Sequence, residues 1–280
     1  MSLVRFENAL FGALTIFLSG ILSSDISGHI FEYGLASISV VFLGMGFFAV
    51  NDYFDFEIDR ANCRTDRPIA QGKIKRKTAL YVGVASLILS FLVSLGLNQI
   101  VSLLLIFNAV LFFAYSYYLK KIFLVKNIIM AYGFLSMILV GTLVSDYVIE
   151  ALIFYYAIMG FIVGLAFEIM IDIRDMEGDR EFGVQTLPLR TSSGFAASVF
   201  VILYVLVMIL DPLPYFVNID SLLYHDFFFL ILIMIPVIFY IFISKSLLRD
   251  MSKSNVGRLR ERTINVMQLG SLAYLFGYLL

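Results

Sequence analysis

The sequence predicts an all-α polytopic membrane protein, a bundle of nine transmembrane helices around a polar cavity that faces the cytoplasm. Of its 280 residues, 61% are hydrophobic and only 15% are charged, and the mean hydropathy is +0.94. These values lie far from those of soluble domains and are typical of integral membrane proteins. We therefore expect a multi-pass protein of the cell membrane.

The apolar runs of the sequence set the predicted number of helices. A helix needs about 20 apolar residues to cross the hydrocarbon core of a bilayer. We interpret residues 1–280 as a single transmembrane domain without a separate soluble part. The predicted spans are residues 4–24, 34–56, 78–96, 99–119, 125–145, 148–171, 193–210, 226–246 and 263–280.

Basic residues are confined to alternate loops of this arrangement. All 20 Lys and Arg residues lie at the start of the first span, or in or within two residues of the loops that follow spans 2, 4, 6 and 8. Because an excess of Lys and Arg marks the cytoplasmic side, we expect the N-terminus in the cytoplasm and the C-terminus outside. The acidic motifs described next then open to the cytoplasm.

The first polar motif lies at the end of the second predicted span. Asp52, Asp55 and Asp59 are spaced i, i+3 and i+7, and Asn51 lies four residues before Asp55. On a helix, residues at these spacings form one stripe along a single face. Ionised side chains this close to lipid are costly and usually mark a functional site.

A second motif repeats this spacing after the sixth span. Asp172, Asp175 and Asp179 again fall at i, i+3 and i+7. Mg²⁺ prefers one or two carboxylates together with waters and phosphate oxygens over a cage made only of protein ligands. We therefore assign the six aspartates of both stripes as candidate Mg²⁺ ligands, and we expect two ions that bridge a bound diphosphate.

Basic residues near the stripes are candidates to bind phosphate oxygens directly. Arg64, Arg67 and Lys73 follow the first motif, and Arg and Lys bind phosphate through charge-assisted hydrogen bonds. Arg5 and the adjacent lysines at 120 and 121 lie on the same predicted face of the membrane. Arg5, Lys73, and Lys120 or Lys121 are not obviously paired with acids, so we expect them to be available to an anionic substrate.

Three stretches of the chain resemble a known family. The pattern NDxxDxxxD of residues 51–59, the run DRPIAQGKI of residues 66–74 and the run DIRDMEGDREFGVQTLP of residues 172–188 are similar to motifs of the UbiA superfamily of intramembrane prenyltransferases. The resemblance covers the whole chain, including the nine spans and an Arg5-x-x-Asn8 element near the start.

The resemblance implies roles for individual residues. Its tyrosine–lysine element fits Tyr117 with Lys121, and it fits Tyr115 with Lys120 if one extra residue is allowed, so both pairs stay open. The residues to which it assigns catalysis are Asn51, Asp55, Asp59, Asp175 and Asp179. The remaining candidates for substrate binding are Arg5, Asn8, Asp52, Arg64, Arg67, Lys73 and Asp172.

Within the superfamily, the run after the sixth span is most similar to an archaeal branch of ether-lipid synthesis. That likeness implies Mg²⁺-dependent transfer of a geranylgeranyl group from geranylgeranyl diphosphate to the hydroxyl of geranylgeranylglyceryl phosphate, with release of diphosphate. One alternative is an aromatic prenyltransferase of quinone or chlorophyll-type synthesis. A transporter of divalent cations or phosphate is a different class, but both acid stripes lie near one face. We do not expect nucleic-acid binding.

Overall fold

The computed structural model describes residues 3–23, 26–62, 64, 67–145 and 147–280, except for the side chains of Glu7 and Asn8. All regular structure in these residues is helical, and a 3₁₀ turn, Leu119–Lys121, follows the fifth helix. The helices are α1 (Phe6–Leu22), α2 (Ile30–Phe54), α3 (Phe56–Ala61), α4 (Arg76–Ser94), α5 (Gln99–Tyr117), α6 (Val125–Thr142), α7 (Ala151–Glu181), α8 (Leu187–Arg190), α9 (Ser193–Leu210), α10 (Leu213–Phe216), α11 (Phe227–Arg249) and α12 (Lys253–Leu279).

Each predicted span contains one long helix in the described part of the chain. Seven candidate spans are long and apolar enough to cross a membrane, which confirms the multi-pass helical fold. The two remaining long helices are α1, whose apolar stretch is only Ala9–Leu22, and α12, whose first turns contain several charged residues. The total of nine spans and the side on which each terminus lies stay predictions.

The helices pack into two compact units that alternate along the chain. Neither unit is one continuous segment of the chain. The single domain expected from the sequence stays a prediction. The first unit consists of Met1–Ile129, Ser136–Ile149 and Glu177–Gln185, and the second of Met130–Leu135, Glu150–Met176 and Thr186–Leu280.

In the first unit, α2 is the central helix and packs against α1, α3, α4 and α5. Its approach to α4 is close: a Cβ atom on Gly46 would lie 3.1 Å from the carbonyl oxygen of Gly83. Ser39 and Ser90 link the same two helices, since the Ser90 hydroxyl donates to the Ser39 carbonyl at 2.8 Å. Small residues and interhelical hydrogen bonds hold membrane helices together, and here they fix the helix that ends in the first acidic motif.

The second unit has an aromatic core built largely from α9, α11 and α12. The Tyr204 ring lies 4.2 Å from that of Phe200 and 4.8 Å from that of Tyr240, between ring centroids. All three residues are buried, and aromatic side chains contribute large buried apolar areas. This unit also contains residues 151–176 of α7, and therefore Asp172 and Asp175.

The two acidic motifs depart from the predicted helices in different ways. The first stripe is not on one continuous helix, because α2 ends at Phe54 and α3 begins at Phe56, and Asp55 between them has a ψ angle of 3°. Aspartate favours such helix ends because its short side chain competes with helical backbone hydrogen bonds. The second stripe does lie on one helix, since α7 continues to Glu181, well past the predicted end at residue 171.

Candidate functional site

The first motif lies at the break between α2 and α3, in the first unit. Backbone hydrogen bonds still cross it, because the Asp55 N–H donates to the Asn51 carbonyl and the Asp59 N–H donates to the Asp55 carbonyl, both at 2.8 Å. Asn51, Asp52 and Asp59 are buried, with exposed fractions of 8%, 1% and 5%. The two buried aspartates therefore need compensating cations or hydrogen-bond donors close by.

Two arginines compensate Asp52. The guanidinium of Arg5 donates to Asp52 Oδ1, and Arg67 Nη1 donates to the same oxygen at 2.6 Å. Arg5 has a φ angle of 41°, which is uncommon outside glycine, and its guanidinium lies 4.6 Å from the centroid of the Phe48 ring. The expectation that Arg5 is unpaired is therefore wrong, because the fold brings the start of α1 against the end of α2.

Lys120 compensates Asp55. Its ammonium group pairs with Asp55 Oδ1, and Asn51 Nδ2 donates to Asp55 Oδ2 at 2.8 Å. The Lys120 side chain is only 7% exposed, whereas Lys121 is exposed. The expectation that Lys120 is unpaired is also wrong, since the 3₁₀ turn after α5 directs it to the break between α2 and α3.

The two candidate tyrosines differ in the same way. Tyr115 is 6% exposed, and its ring packs edge-on against Phe47 at 5.9 Å. Tyr117 is 65% exposed and contacts Phe54 at 5.6 Å. The structure thus places Tyr115, rather than Tyr117, in the interior of the first unit, as it does Lys120 rather than Lys121.

Asp59 lies where burial opposes its ionisation. The Nε atom of Arg67 is 3.6 Å from Asp59 Oδ2. Burial raises the pKa of Asp59 to about 8, the Asp55 carboxylate acts in the same direction, and Arg64 offsets part of the effect. A divalent cation bound at this carboxylate would favour the ionised form.

The second stripe divides between the units. Asp172 is completely buried and Asp175 is 8% exposed, both in the second unit. Arg174 donates to both carboxylate oxygens of Asp175, with distances of 2.8 and 2.7 Å. This bidentate geometry is the strongest that arginine offers to a carboxylate.

Asp179 belongs to the first unit, together with the first motif. Lys126 Nζ lies 3.1 Å from Asp179 Oδ2, and both side chains are largely buried. The residue before it, Gly178, donates its N–H to Asn62 Oδ1 at 3.0 Å. Asn62 follows Asp59 by three residues, so the structure brings the end of the second motif to the end of the first.

Some predicted site residues do not join this cluster. Lys73 and Lys121 are exposed, and neither side chain forms an ion pair with a residue that the structure describes. The backbone N–H of Arg64 donates to the Asp59 carbonyl at 3.0 Å, which keeps Arg64 near the motif. The side chain of Asn8 lies outside the described residues.

Three residues of the site were not among the predicted ones, namely Asn62, Lys126 and Arg174. Lys126 and Arg174 count only as loop charges in a sequence pattern, because their acidic partners are fixed by the fold. Asn62 does carry a signal: residues 52, 55, 59 and 62 continue the i, i+3, i+7, i+10 spacing of one helix face.

The residues present suit Mg²⁺ held together with a phosphate ligand. Within the described residues, no group of three His, Cys, Asp or Glu side chains is suited to hold a metal without other ligands. Asn51 Oδ1 and Asp52 Oδ2 are buried oxygens that accept no hydrogen bond. Oxygen donors and few carboxylates per ion are what Mg²⁺ takes when substrate phosphates complete its coordination.

Comparison with known proteins gives consistent matches. A family model described as the UbiA prenyltransferase family matches residues 12–267. A digeranylgeranylglyceryl phosphate synthase from Methanosphaera stadtmanae is 33% identical over 279 residues, covering 97% of this chain and 94% of that protein. A solved structure from work on digeranylgeranylglyceryl phosphate synthase in membranes has a TM-score of 0.73 and 28% identity, covering 99% of this chain and 96% of that chain. The structure of a UbiA homolog from Archaeoglobus fulgidus bound to GPP and Mg²⁺ has a TM-score of 0.68 and 16% identity, covering 98% of this chain and 99% of that chain.

Proposed function

Because the chain belongs to the UbiA prenyltransferase family, we propose that it transfers a geranylgeranyl group from geranylgeranyl diphosphate to the free hydroxyl of geranylgeranylglyceryl phosphate. The products are digeranylgeranylglyceryl phosphate and diphosphate. Support for this pair of substrates comes from the likeness, over nearly the full length, to synthases of that product. We place the reaction at the cytoplasmic face of the cell membrane, as the distribution of basic residues predicts.

The observation that carries the chemistry is the buried cluster of acids and bases in the first unit. Asp52, Asp55, Asp59 and Asp179 each have a basic partner there. With Asn51, they are the side chains that would hold Mg²⁺ in this unit, and Asp172 and Asp175 are the predicted ligands in the second unit. Bound Mg²⁺, proposed as two ions, would neutralise charge that grows on the diphosphate as the allylic C–O bond breaks.

The basic partners supply the remaining phosphate contacts. These partners have hydrogen-bond donors on largely buried side chains, and their ion pairs with the aspartates hold the donors in place. They are Arg5, Arg67, Lys120 and Lys126. Charge-assisted hydrogen bonds are stronger in such water-poor surroundings, and preorganised donors need no rearrangement as the bond breaks. These residues hold the leaving diphosphate in place after the C–O bond has broken.

Aromatic side chains of α2 and α5 exclude water from the reacting carbon in the proposed reaction. Phe47 lies four residues before Asn51 on α2, and its ring is 5.0 Å from that of Phe112 and 5.9 Å from that of Tyr115. Aromatic faces also favour a nearby positive charge.

In the proposed reaction, the C1–O bond breaks with its electron pair on the diphosphate. The acceptor hydroxyl oxygen then bonds to C1, and its proton passes to the released diphosphate.

The test is an assay of purified protein with geranylgeranyl diphosphate and a panel of acceptors, with and without Mg²⁺. We expect an ether product only with geranylgeranylglyceryl phosphate and only with Mg²⁺, identified by mass spectrometry. Efficient prenylation of a phosphate-free aromatic acid or quinol, with no product from geranylgeranylglyceryl phosphate, would favour the aromatic prenyltransferase and overturn the proposed substrate.

A further inference from the structure

One buried hydrogen bond links the two acidic motifs within the first unit. Asn62 is the residue after α3, and only 2% of it is exposed. Its side-chain oxygen accepts the Gly178 N–H at 3.0 Å, across 116 residues of sequence. Asn62 lies three residues after Asp59, and Gly178 lies immediately before Asp179. The bond therefore joins the neighbours of two predicted metal ligands.

The contact explains why residue 178 is glycine. Gly178 lies within α7 and its φ angle is not in the left-handed region, so no turn requires glycine there. Glycine inside a helix is destabilising relative to alanine. A Cβ atom at this position, however, would lie 2.6 Å from Cγ and 2.9 Å from Oδ1 of Asn62. Real Cβ atoms do not approach other atoms so closely, so the Asn62 side chain would have to move.

Two further contacts hold the segment that follows Gly178 in the same unit. Lys126 pairs with Asp179 at 3.1 Å, and the Gln185 N–H donates to the Lys121 carbonyl at 3.2 Å. Lys121 belongs to the same 3₁₀ turn as Lys120, and Lys126 belongs to α6, the next helix. The end of α7 is thus attached to the first motif by Asn62 and to the residues around Lys120 by Lys126 and Lys121.

From this geometry we propose that Asn62 is a positioning residue, which fixes Asp179 relative to Asp59 through its hydrogen bond to Gly178. The proposal rests on the proposed function, because it assumes that carboxylates of both motifs bind one metal–diphosphate group. Misplacement of a ligand by about 1 Å reduces catalysis about 100-fold in well-ordered sites. Loss of the bond should therefore impair binding of Mg²⁺ with diphosphate, and not stability alone.

The first test compares Asn62→Ala with Asn98→Ala. Asn98 is an asparagine of the same unit that donates to the carbonyls of Leu143 and Val144 at 2.6 and 3.0 Å, at the other end of α5 from Lys120. The readout is the increase in unfolding temperature when Mg²⁺ and inorganic diphosphate are added to the detergent-purified protein, since ligands that bind only the folded state raise this temperature. We expect Asn62→Ala to reduce the increase at least twofold and kcat about tenfold or more. Asn98→Ala should lower the starting temperature and keep the increase.

The second test separates positioning from packing. Gly178→Ala alone should disrupt the contact, because its methyl group collides with Asn62. In Asn62→Ala/Gly178→Ala the new methyl group occupies space left by Asn62, so unfolding temperature should recover toward that of the native protein. We expect the increase caused by Mg²⁺ and diphosphate to stay reduced. This double variant also serves if Asn62→Ala does not fold.

The proposal is overturned if Asn62→Ala shows the native increase, or if the double variant recovers it, since the contact would then act only through packing. These outcomes are distinct from failure of the proposed function. Inorganic diphosphate needs no acceptor, and a wrong acceptor would appear as absence of ether product in the native protein.

Discussion

Lys120 and Asp55 form an ion pair although 65 residues separate them in the sequence. The pair joins the turn after α5 to the break between α2 and α3, and the lysine side chain is 7% exposed. Of the two tyrosine–lysine pairs that the sequence leaves open, this contact favours Tyr115 with Lys120. Lys120 can pair with Asp55 and also donate a hydrogen bond to a bound phosphate.

Substitution of Lys120 by Met should greatly impair the enzyme, because it removes the charge while keeping most of the length of the side chain. Breaking a buried ion pair from one side costs about 3–5 kcal/mol, since the other charge stays buried. We expect kcat/KM for geranylgeranyl diphosphate to fall about 100-fold or more, with a lower unfolding temperature. Steady-state kinetics at saturating acceptor measure the first effect and thermal unfolding the second.

Lys121→Met is the matched control for this prediction, because Lys121 is the exposed neighbour. We expect its kcat/KM for geranylgeranyl diphosphate to stay within about twofold of the native value, as is usual for surface substitutions. A loss in Lys121→Met equal to that in Lys120→Met would show that the buried pair has no special role.

The phosphate of the acceptor should be recognised by cations that the acids do not already engage. Arg5 and Lys120 are paired with Asp52 and Asp55, which leaves Lys73 and Lys121 as the exposed candidates of the original set. The acceptor phosphate adds about −2 charge near neutral pH. We expect Lys73→Ala or Lys121→Ala to raise KM for geranylgeranylglyceryl phosphate severalfold and to leave KM for geranylgeranyl diphosphate unchanged.

Initial rates with each substrate varied in turn will measure these two constants. Lys77→Ala is the control, since Lys77 is exposed at the start of α4 and is not a predicted site residue. If both Lys73→Ala and Lys121→Ala keep the native KM for the acceptor, its phosphate is bound elsewhere.

The sidedness of the membrane is open to a labelling experiment. Cys63 and Ser24 both lie outside the described residues, but the loop count predicts that they are on opposite faces, with Cys63 in the cytoplasm. A membrane-impermeant thiol reagent should therefore label Cys63 only from the cytoplasmic side of sealed vesicles. In a Cys63→Ser/Ser24→Cys variant, labelling should come only from the other side. Labelling of both from one side would mean that the predicted topology is wrong.

Hydropathy and charge predict the long helices well, because each apolar run of about 20 residues has no stable alternative in a bilayer. The spacing of Asp172, Asp175 and Asp179 likewise predicts their shared helix face, since α7 is regular to Glu181. The break at Asp55 is not predicted by the same spacing. A periodic pattern does not report where a helix ends when apolar residues, here Phe54 and Phe56, lie on both sides of the break.

The ion pairs of the site are beyond sequence reasoning for a different reason. Arg5 and Asp52 are 47 residues apart, and Lys126 and Asp179 are 53 residues apart. Hydropathy identifies which segments cross the membrane but not which faces pack together. Gly178 lies beyond the predicted end of the sixth span at residue 171, so its place inside α7 is known only from the structure. Once it is placed there, a glycine inside a helix indicates a close contact, because it is costly unless something occupies the space of its side chain.

The most direct measurement of the central claim is the initial rate of ether formation by native protein and by Asp55→Ala, each with Mg²⁺ and with EDTA. Asp59→Ala, Asp175→Ala and Asp179→Ala extend the series, and the unfolding temperature of each variant checks that it is folded. We predict that EDTA abolishes nearly all turnover of the native protein and that each variant is nearly inactive in Mg²⁺ while still folded. Undiminished turnover in EDTA, or a fully active Asp55→Ala protein, would contradict the assignment of this cluster as the site of Mg²⁺-dependent prenyl transfer.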